Sequence, residues 1–146
     1  EVGNPYYSEI VAGIRAYGRE RGYAVVVASS EGEAAAVVPF ITDMAAAYSR
    51  AHLVVCRAGA TTMAELTACG RPAIMIPFPY AAGDHQSANA RSLARRGAAL
   101  MLSQTELTAK TLAQLVSGLL KDRPRLLSMA AAAKSLGNPG AADRIL

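Results

Sequence analysis

Residues 56–65, Cys-Arg-Ala-Gly-Ala-Thr-Thr-Met-Ala-Glu, have the residue types and spacing of a ligand-binding loop. An apolar run ends here, Gly59 permits a tight turn, and a helix is predicted to begin at Thr61 and Thr62. The first turn of a helix exposes unpaired amides at the positive end of its dipole, which suits a phosphate group. Gly59 also lets a ligand approach the backbone, and the two threonine hydroxyls add donors. The segment therefore predicts a phosphate site.

Glu65 follows Thr62 by three residues, so the two side chains share a helix face. A carboxylate this close would repel a phosphate, but it suits the diol of a sugar, from which it accepts two O–H bonds. In the alternative interpretation, Thr62 and Glu65 form an N-terminal capping pair. Spacing alone leaves both interpretations open.

A second polar group, Asp84-His85-Gln86, follows an apolar run at 73–78. Open α/β sheets bind ligands at the carboxyl ends of their strands, which is where this group is predicted to lie. His85 could act as acid, base or ligand donor, whereas Asp84 could simply cap a helix. No second His or Cys stands near His85, so no metal site is predicted. His52 precedes a buried strand and is predicted to be structural.

The elements that must position these residues alternate between strand and helix. Continuous apolar strands separated by helices predict a parallel sheet covered on both faces. The fold class is therefore α/β: a three-layer, doubly wound, Rossmann-like (flavodoxin-like) sheet of about five mostly parallel strands. The candidate strands are Ala24–Ala28, Leu53–Cys56 and Ala73–Phe78, with weaker candidates at Val37–Phe40 and Ala98–Leu102.

Helix ends are indicated by capping residues and glycines. Gly22, Gly70 and Gly97 are predicted to end three of the helices. The predicted helices run from Pro5 after an Asn4 cap, over Thr61–Cys69, over Gln86–Arg96, from a Ser103–Glu106 capping box to about Leu120, and over Pro124–Leu136. Only eight residues, 29–36, separate the first two strand candidates, too few for a parallel crossover. These strands are therefore antiparallel neighbours, or a tight loop skips a position, or residues are missing.

Composition excludes several classes of protein. With 52% hydrophobic and 18% charged residues and a mean hydropathy of +0.20, the chain is not disordered. No apolar run reaches the length of a membrane span. Cys56 and Cys69 are predicted to be buried free thiols of a reducing compartment. The net charge is +4, but the basic residues are scattered, so no nucleic-acid partner is predicted.

Residues 37–146 resemble the C-terminal domain of the MurG family of bacterial peptidoglycan N-acetylglucosaminyltransferases. The resemblance rests on Pro39–Met44, Leu53–Thr62, Glu65, Pro77–Tyr80 and Asp84–Ala90. It implies a metal-independent inverting transferase with two Rossmann-like domains and no cofactor. The C-terminal domain would hold UDP-N-acetylglucosamine, and the acceptor would be a lipid-linked muramoyl-pentapeptide. It also implies a cytoplasmic location, with the parent family on the inner face of the plasma membrane.

The resemblance also implies a set of substrate-binding residues. Ile41 would offer backbone atoms to uracil, with Phe40 and Met44 around it. Glu65 would accept the ribose hydroxyls. The ribose-diphosphate path would be lined by Ala60, Thr61 and Thr62, and N-acetylglucosamine would face His85 and Gln86. Position 61 often carries a bulkier apolar residue or Thr in the family. No catalytic residue is assigned.

Residues 1–33 resemble instead the sugar-binding domain of lac-repressor-type regulators and periplasmic sugar-binding proteins. That resemblance implies sugar contacts from Asn4, Tyr6 and Tyr7, which stand where the transferase family has a Gly-rich phosphate loop. We therefore predict a single α/β domain over 1–146, a natural or engineered chimera with its seam near 31–37.

The missing loop and the missing acceptor domain lead to an expectation of weak UDP-sugar binding without turnover. The alternatives are a chimera without native function and a sugar-binding module. The chain lacks an initial Met and a signal peptide, which indicates a fragment. A homodimer is possible, because the last helix must dock on its own domain, pair with another chain or fray.

Overall fold

The computed structural model describes residues 5–28 and 43–140. Its four strands form one sheet in the order β1-β2-β3-β4, and each neighbouring pair is parallel. The strands are β1 (Val25–Ala28), β2 (Leu53–Cys56), β3 (Ala73–Met75) and β4 (Ala99–Met101). The predicted parallel α/β fold is confirmed. The fifth candidate strand, Val37–Phe40, lies outside the described residues, so its pairing with the first strand stays a prediction.

Six helices connect and cover these strands within the described ranges. They are α1 (Pro5–Arg19), α2 (Met44–Arg50), α3 (Ala60–Cys69), α4 (His85–Arg95), α5 (Ala109–Lys121) and α6 (Arg123–Leu136). A short 3-10 turn, Ala82–Asp84, precedes α4. The predicted left-handed glycine ends are confirmed at Gly70 (φ 62°), directly after α3, and at Gly97 (φ 72°), after α4.

The core consists of two apolar layers, one on each face of the sheet. Leu53 and Val55 of β2 point to the layer shared with α1, α5 and α6, whereas Val54 and Cys56 point to the layer shared with α2, α3 and α4. All four residues of β2 are buried, as expected for a central strand covered by helices on both faces. Each such buried side chain stabilises the fold by about 1.5–3 kcal/mol relative to its exposure. The result is a three-layer arrangement.

Helix α2 is absent from the sequence predictions. The Asp43 carboxylate caps it by accepting a hydrogen bond from the Ala46 amide at 2.9 Å. Its apolar residues follow the helical spacing i, i+3, i+4 and i+7, and the helix packs against the α3 side of the sheet. Those residues are Met44, Ala47, Tyr48 and Ala51.

The predicted start of α5 is wrong. Ser103 donates to the Glu106 carboxylate at 2.6 Å, but the two residues lie in a turn before the helix. The helix begins at Ala109, and the capping box is formed by Thr108 and Thr111. Each of these two hydroxyls accepts a hydrogen bond from the backbone amide of the other residue, and this pair, rather than Ser103 and Glu106, caps the helix.

Helix α6 docks on its own domain, one of the three outcomes considered above. Leu126 and Met129 join one core layer and Ala133 joins the other. At its end, the Lys134 ammonium donates to the Ala68 carbonyl at 2.6 Å, next to the end of α3. No helix among the described residues is long and apolar enough to cross a membrane.

Candidate functional site

The predicted phosphate site lies where β2 ends and α3 begins. Gly59 is the N-cap of α3 and supplies no side chain to cap it. The first intrahelical bond runs from the Met63 amide to the Gly59 carbonyl, at 3.0 Å. The three preceding amides, of Ala60, Thr61 and Thr62, have no hydrogen-bond acceptor among the described residues. Three donors at the positive end of a ten-residue helix are thus available to an anion.

The turn into α3 does not require the conformational freedom of glycine at position 59. Its backbone is extended (φ −67°, ψ 150°), a conformation that any residue adopts. An added Cβ would meet only the Thr62 hydroxyl oxygen, at 3.9 Å. The remaining reason for a glycine is the space that it leaves beside the bare amides.

Glu65 does not form a capping pair with Thr62, so that alternative is excluded. Its Oε2 instead accepts a hydrogen bond from the Tyr48 hydroxyl, at 3.0 Å. Tyr48 is 2% exposed, and Glu65 is half-buried. Burial, and then the hydrogen bond to Glu65, raise the pKa of Tyr48 well above its ordinary value, so the hydroxyl remains a donor. Sequence reasoning missed this residue, although the spacing of α2 could have indicated it.

Gln86 joins the loops that follow β2 and β3. Its Oε1 accepts from the Phe78 amide at 2.9 Å and from the Ala58 amide at 3.3 Å. Asn89, one turn later, donates to the Ala58 carbonyl at 3.0 Å. The oxygen of Gln86 therefore faces the protein, and Nε2 is the atom of this group that remains for a ligand. The structure thus brings Gln86 to the same edge of the sheet as Gly59.

Asp84 and His85 form the start of α4. Asp84 has a left-handed backbone (φ 53°), which aspartate tolerates better than most residues. It occupies the N-cap position, but its carboxylate makes no capping bond to the helix backbone. A hydrogen bond from Ser87 and a 3.3 Å contact with Arg91 instead lower the pKa of Asp84. His85 is exposed at the first position of α4.

Arg57, which sequence reasoning did not single out, holds three loops of the site together. Its guanidinium donates to the Ile76 carbonyl at 3.2 Å and to the Gln104 side chain at 2.5 Å. It also lies 5.5 Å from the centre of the Phe78 ring. The charge of Arg57 is therefore fixed beside the carboxyl ends of β2 and β3.

The other predicted site residues make no contact with these groups that the described residues show. Met44 begins α2 and is half-buried against the same core layer as Tyr48. Tyr6 and Tyr7 belong to α1, but their side chains lie outside the described residues, as do the whole of Asn4, Phe40 and Ile41. Within 5–28 and 43–140, no three His, Cys, Asp or Glu side chains cluster as metal ligands.

Two other predictions concern residues away from the site. His52 is structural as predicted, since its Nδ1 accepts from the Ala24 amide at 3.0 Å. Both cysteines are free thiols, but only Cys56 is fully buried, and Cys69 is half-buried. Burial raises the pKa of the Cys56 thiol to about 12.

Comparison with known proteins identifies one family. The model of the glycosyltransferase family 28 C-terminal domain matches residues 14–145. That match includes residues 31–37, so the predicted seam, the chimera and the resemblance to lac-repressor-type proteins receive no support from the comparisons.

The relatives include two enzymes named UDP-N-acetylglucosamine–N-acetylmuramyl-(pentapeptide) pyrophosphoryl-undecaprenol N-acetylglucosamine transferase. The one from Syntrophotalea carbinolica is 71% identical over 110 residues, which are 75% of this chain and 31% of the enzyme. The one from Myxococcus xanthus is 53% identical over 125 residues, which are 86% of this chain and 31% of the enzyme. The chain thus spans about a third of the length of these relatives.

Two solved structures share the fold. Acinetobacter baumannii MurG is 44% identical with a TM-score of 0.68, and the match covers 75% of this chain and 33% of that protein. The glycosyltransferase of kitacinnamycin has a TM-score of 0.65, and the match covers 97% of this chain and 38% of that protein. At 23% identity, the second comparison shows the fold alone.

Proposed function

Because the chain belongs to the glycosyltransferase family 28 C-terminal domains, we propose that it binds the nucleotide-sugar donor of a peptidoglycan N-acetylglucosaminyltransferase. The donor would be UDP-N-acetylglucosamine, the nucleotide sugar in the names of its relatives. A cytoplasmic location, association with the inner membrane face, a single domain over 1–146 and a homodimer stay predictions.

One observation carries the proposal: the uncapped first turn of α3 lies beside a carboxylate that a buried hydroxyl holds in place. The amides of Ala60, Thr61 and Thr62 provide donors for the diphosphate. Glu65 accepts from Tyr48 through one oxygen and retains lone pairs for the ribose diol. His85 and Gln86, at the neighbouring strand end, would face the N-acetylglucosamine.

The residues of this chain would act on the leaving group of the transfer. When the bond between the anomeric carbon and the diphosphate oxygen breaks, negative charge develops on that oxygen. Fixed amides and the positive end of α3 are oriented before the reaction and stabilise such charge without reorganisation. No base for the acceptor hydroxyl is assigned to this chain, so we propose binding without turnover when it acts alone.

Titration calorimetry with UDP, UDP-N-acetylglucosamine and free N-acetylglucosamine tests the proposal. We expect the two nucleotides to bind with a Kd between about 1 µM and about 1 mM, and the free sugar not to bind measurably. Glu65→Gln removes the charge from the ribose acceptor and should weaken UDP binding about tenfold, because hydrogen bonds to charged groups contribute about 1.5–3 kcal/mol and those to neutral groups about 0.5–1.5 kcal/mol.

The matched control is Glu20→Gln, which removes an exposed carboxylate from the turn after α1, at the opposite edge of the sheet. It should leave the affinity for UDP unchanged. Nanomolar binding of the nucleotide sugar would contradict the expectation of a weak site. Tight binding of a free pentose or hexose, without binding of UDP, would favour the sugar-binding module instead.

A further inference from the structure

We propose that Tyr48 positions the Glu65 carboxylate and thereby sets the preference of this site for ribose over 2′-deoxyribose. The proposal rests on the function proposed above, in which Glu65 accepts the ribose hydroxyls. It assigns a role to a residue of α2 that would not itself contact the ligand. Its basis is the 3.0 Å hydrogen bond from the Tyr48 hydroxyl to Glu65 Oε2.

Tyr48 is held too firmly to follow the motion of a surface carboxylate. Its ring is 2% exposed and packs in the core layer that contains Val54 and Leu66. Helix α2 is also fixed at both ends: Asp43 caps its start, and Arg71 donates to the carbonyls of Ser49 and Ala51 at 3.1 and 3.0 Å. The hydroxyl of Tyr48 therefore has one position relative to β2 and α3.

The consequence for Glu65 is a restricted rotamer. A glutamate on a helix surface has three rotatable bonds, and ordering it costs conformational entropy when a ligand binds. A donor fixed in the core selects one orientation of the carboxylate before the ligand arrives, which reduces that cost. The other oxygen, Oε1, and the remaining lone pair of Oε2 are then available to a diol.

A purely structural role predicts something different. A buried tyrosine hydroxyl needs a hydrogen-bond partner, and Glu65 provides one whether or not a ligand binds. In that case, loss of the hydroxyl would change the stability of the fold, or would weaken every ligand equally. Only a positioning role makes the effect depend on the 2′-hydroxyl group of the ligand.

The test compares UDP with 2′-deoxy-UDP on the chain and on Tyr48→Phe, which keeps the ring and removes the hydroxyl. We expect the affinity for UDP to fall about tenfold, equivalent to about 1.4 kcal/mol, and the affinity for 2′-deoxy-UDP, which retains only the 3′-hydroxyl for Glu65, to fall less, by about threefold. The double variant Tyr48→Phe/Glu65→Ala should bind UDP no more weakly than Glu65→Ala alone, because removing the carboxylate leaves the Tyr48 hydroxyl nothing to position.

Tyr17→Phe is the matched control. It removes a hydroxyl that is also hydrogen-bonded, to Ser117 at 2.9 Å, but between α1 and α5 on the other face of the sheet. It should leave both affinities unchanged. Thermal unfolding of each variant confirms that the proteins compared are folded.

Each outcome decides between the two proposals. If Glu65→Gln weakens UDP binding but Tyr48→Phe leaves the ratio of the two affinities unchanged, the positioning role is overturned and the proposed function stands. An equal loss for both nucleotides in Tyr48→Phe also overturns it. If Glu65→Gln has no effect, or the parent chain does not bind UDP, the ribose contact itself fails, and both proposals fail with it.

Discussion

Replacing Gln86 by Ala should destabilise the fold through two backbone amides rather than through lost packing. The Gln86 oxygen is the acceptor for the amides of Phe78 and Ala58. Ala58 is fully buried and Phe78 is half-buried, so water reaches these amides poorly. A buried donor left without a partner costs about 1–3 kcal/mol. We therefore expect Gln86→Ala to lower the free energy of unfolding by about 2–6 kcal/mol for the two amides together, towards the lower end because Phe78 is only half-buried.

Gln86→Glu separates this structural role from a role in binding. A carboxylate still accepts both amide bonds, so the free energy of unfolding should stay within about 1 kcal/mol of the parent value. The same change adds a negative charge beside the proposed diphosphate and removes the Nε2 donor. Affinity for UDP-N-acetylglucosamine should therefore fall while stability is retained.

Urea unfolding monitored by circular dichroism measures the first effect, and calorimetry measures the second. Gln114→Ala, on the exposed face of α5, is the control and should cost nothing, because Ala is the better helix former. If Gln86→Glu destabilises as much as Gln86→Ala, the side-chain oxygen is not the acceptor that joins the two loops, and the reasoning fails.

Three further predictions concern other parts of the chain. Gly59→Ala should leave the free energy of unfolding within about 1 kcal/mol of the parent value, because the backbone at this position needs no glycine. It should weaken UDP binding in calorimetry, because the added methyl group fills the space beside the amides of α3, and an unchanged affinity would show that no ligand approaches there. Gly137→Ala should lower the free energy of unfolding in urea by about 1–3 kcal/mol, because its Cβ would lie 2.5 Å from the Thr67 carbonyl oxygen. The control Gly118→Ala, where a Cβ has open space, should not destabilise the fold, and equal effects of the two changes would contradict the α3–α6 contact. Finally, the Cys56 thiol should lower the free energy of unfolding as pH rises from about 9 towards 12, by at most about 1.4 kcal/mol per pH unit for this one group, because it ionises in the unfolded chain while burial holds its pKa near 12 in the fold. The raised pKa of Tyr48 adds to the decrease above about pH 10, and a Cys56→Ala variant with the same pH slope as the parent would refute the contribution of the thiol.

The strands were predictable because each is a continuous apolar run, which is typical of a parallel strand that helices cover on both faces of the sheet. The start of α3 was predictable to within a residue, since Gly59, followed by Ala60 and two threonines, indicates the end of one element and the start of another. Helix α2 was missed because it has only seven residues, fewer than two full turns beyond its cap, and its alanines add little to a periodic pattern.

The details of the site depend on contacts between residues that are distant in the sequence, and local sequence patterns do not predict such contacts. Spacing left the role of Glu65 open and the family resemblance assigned it to the ribose, but neither indicated its partner Tyr48, which lies 17 positions earlier on another helix. Gln86 was assigned to the sugar, and the sequence could not show that its oxygen turns back to the amides of two loops. The start of α5 was misplaced because two capping patterns lie within nine residues, and only packing decides between them.

The position of the site on the two central strands has a consequence for its exchange with solvent protons. The loops that carry Ala58 and Phe78 continue from β2 and β3, which have a paired neighbour on both sides. Local unfolding begins at termini, mobile loops and sheet edges, which have few buried contacts. The backbone amides of central strands exchange only when the whole protein unfolds. The amides of Val54 and Val55 within β2 should therefore exchange with deuterium at the slowest rate that the protein shows, whereas those of Ala58 and Phe78, which depend on the Gln86 side chain in the loops of the site, should exchange faster.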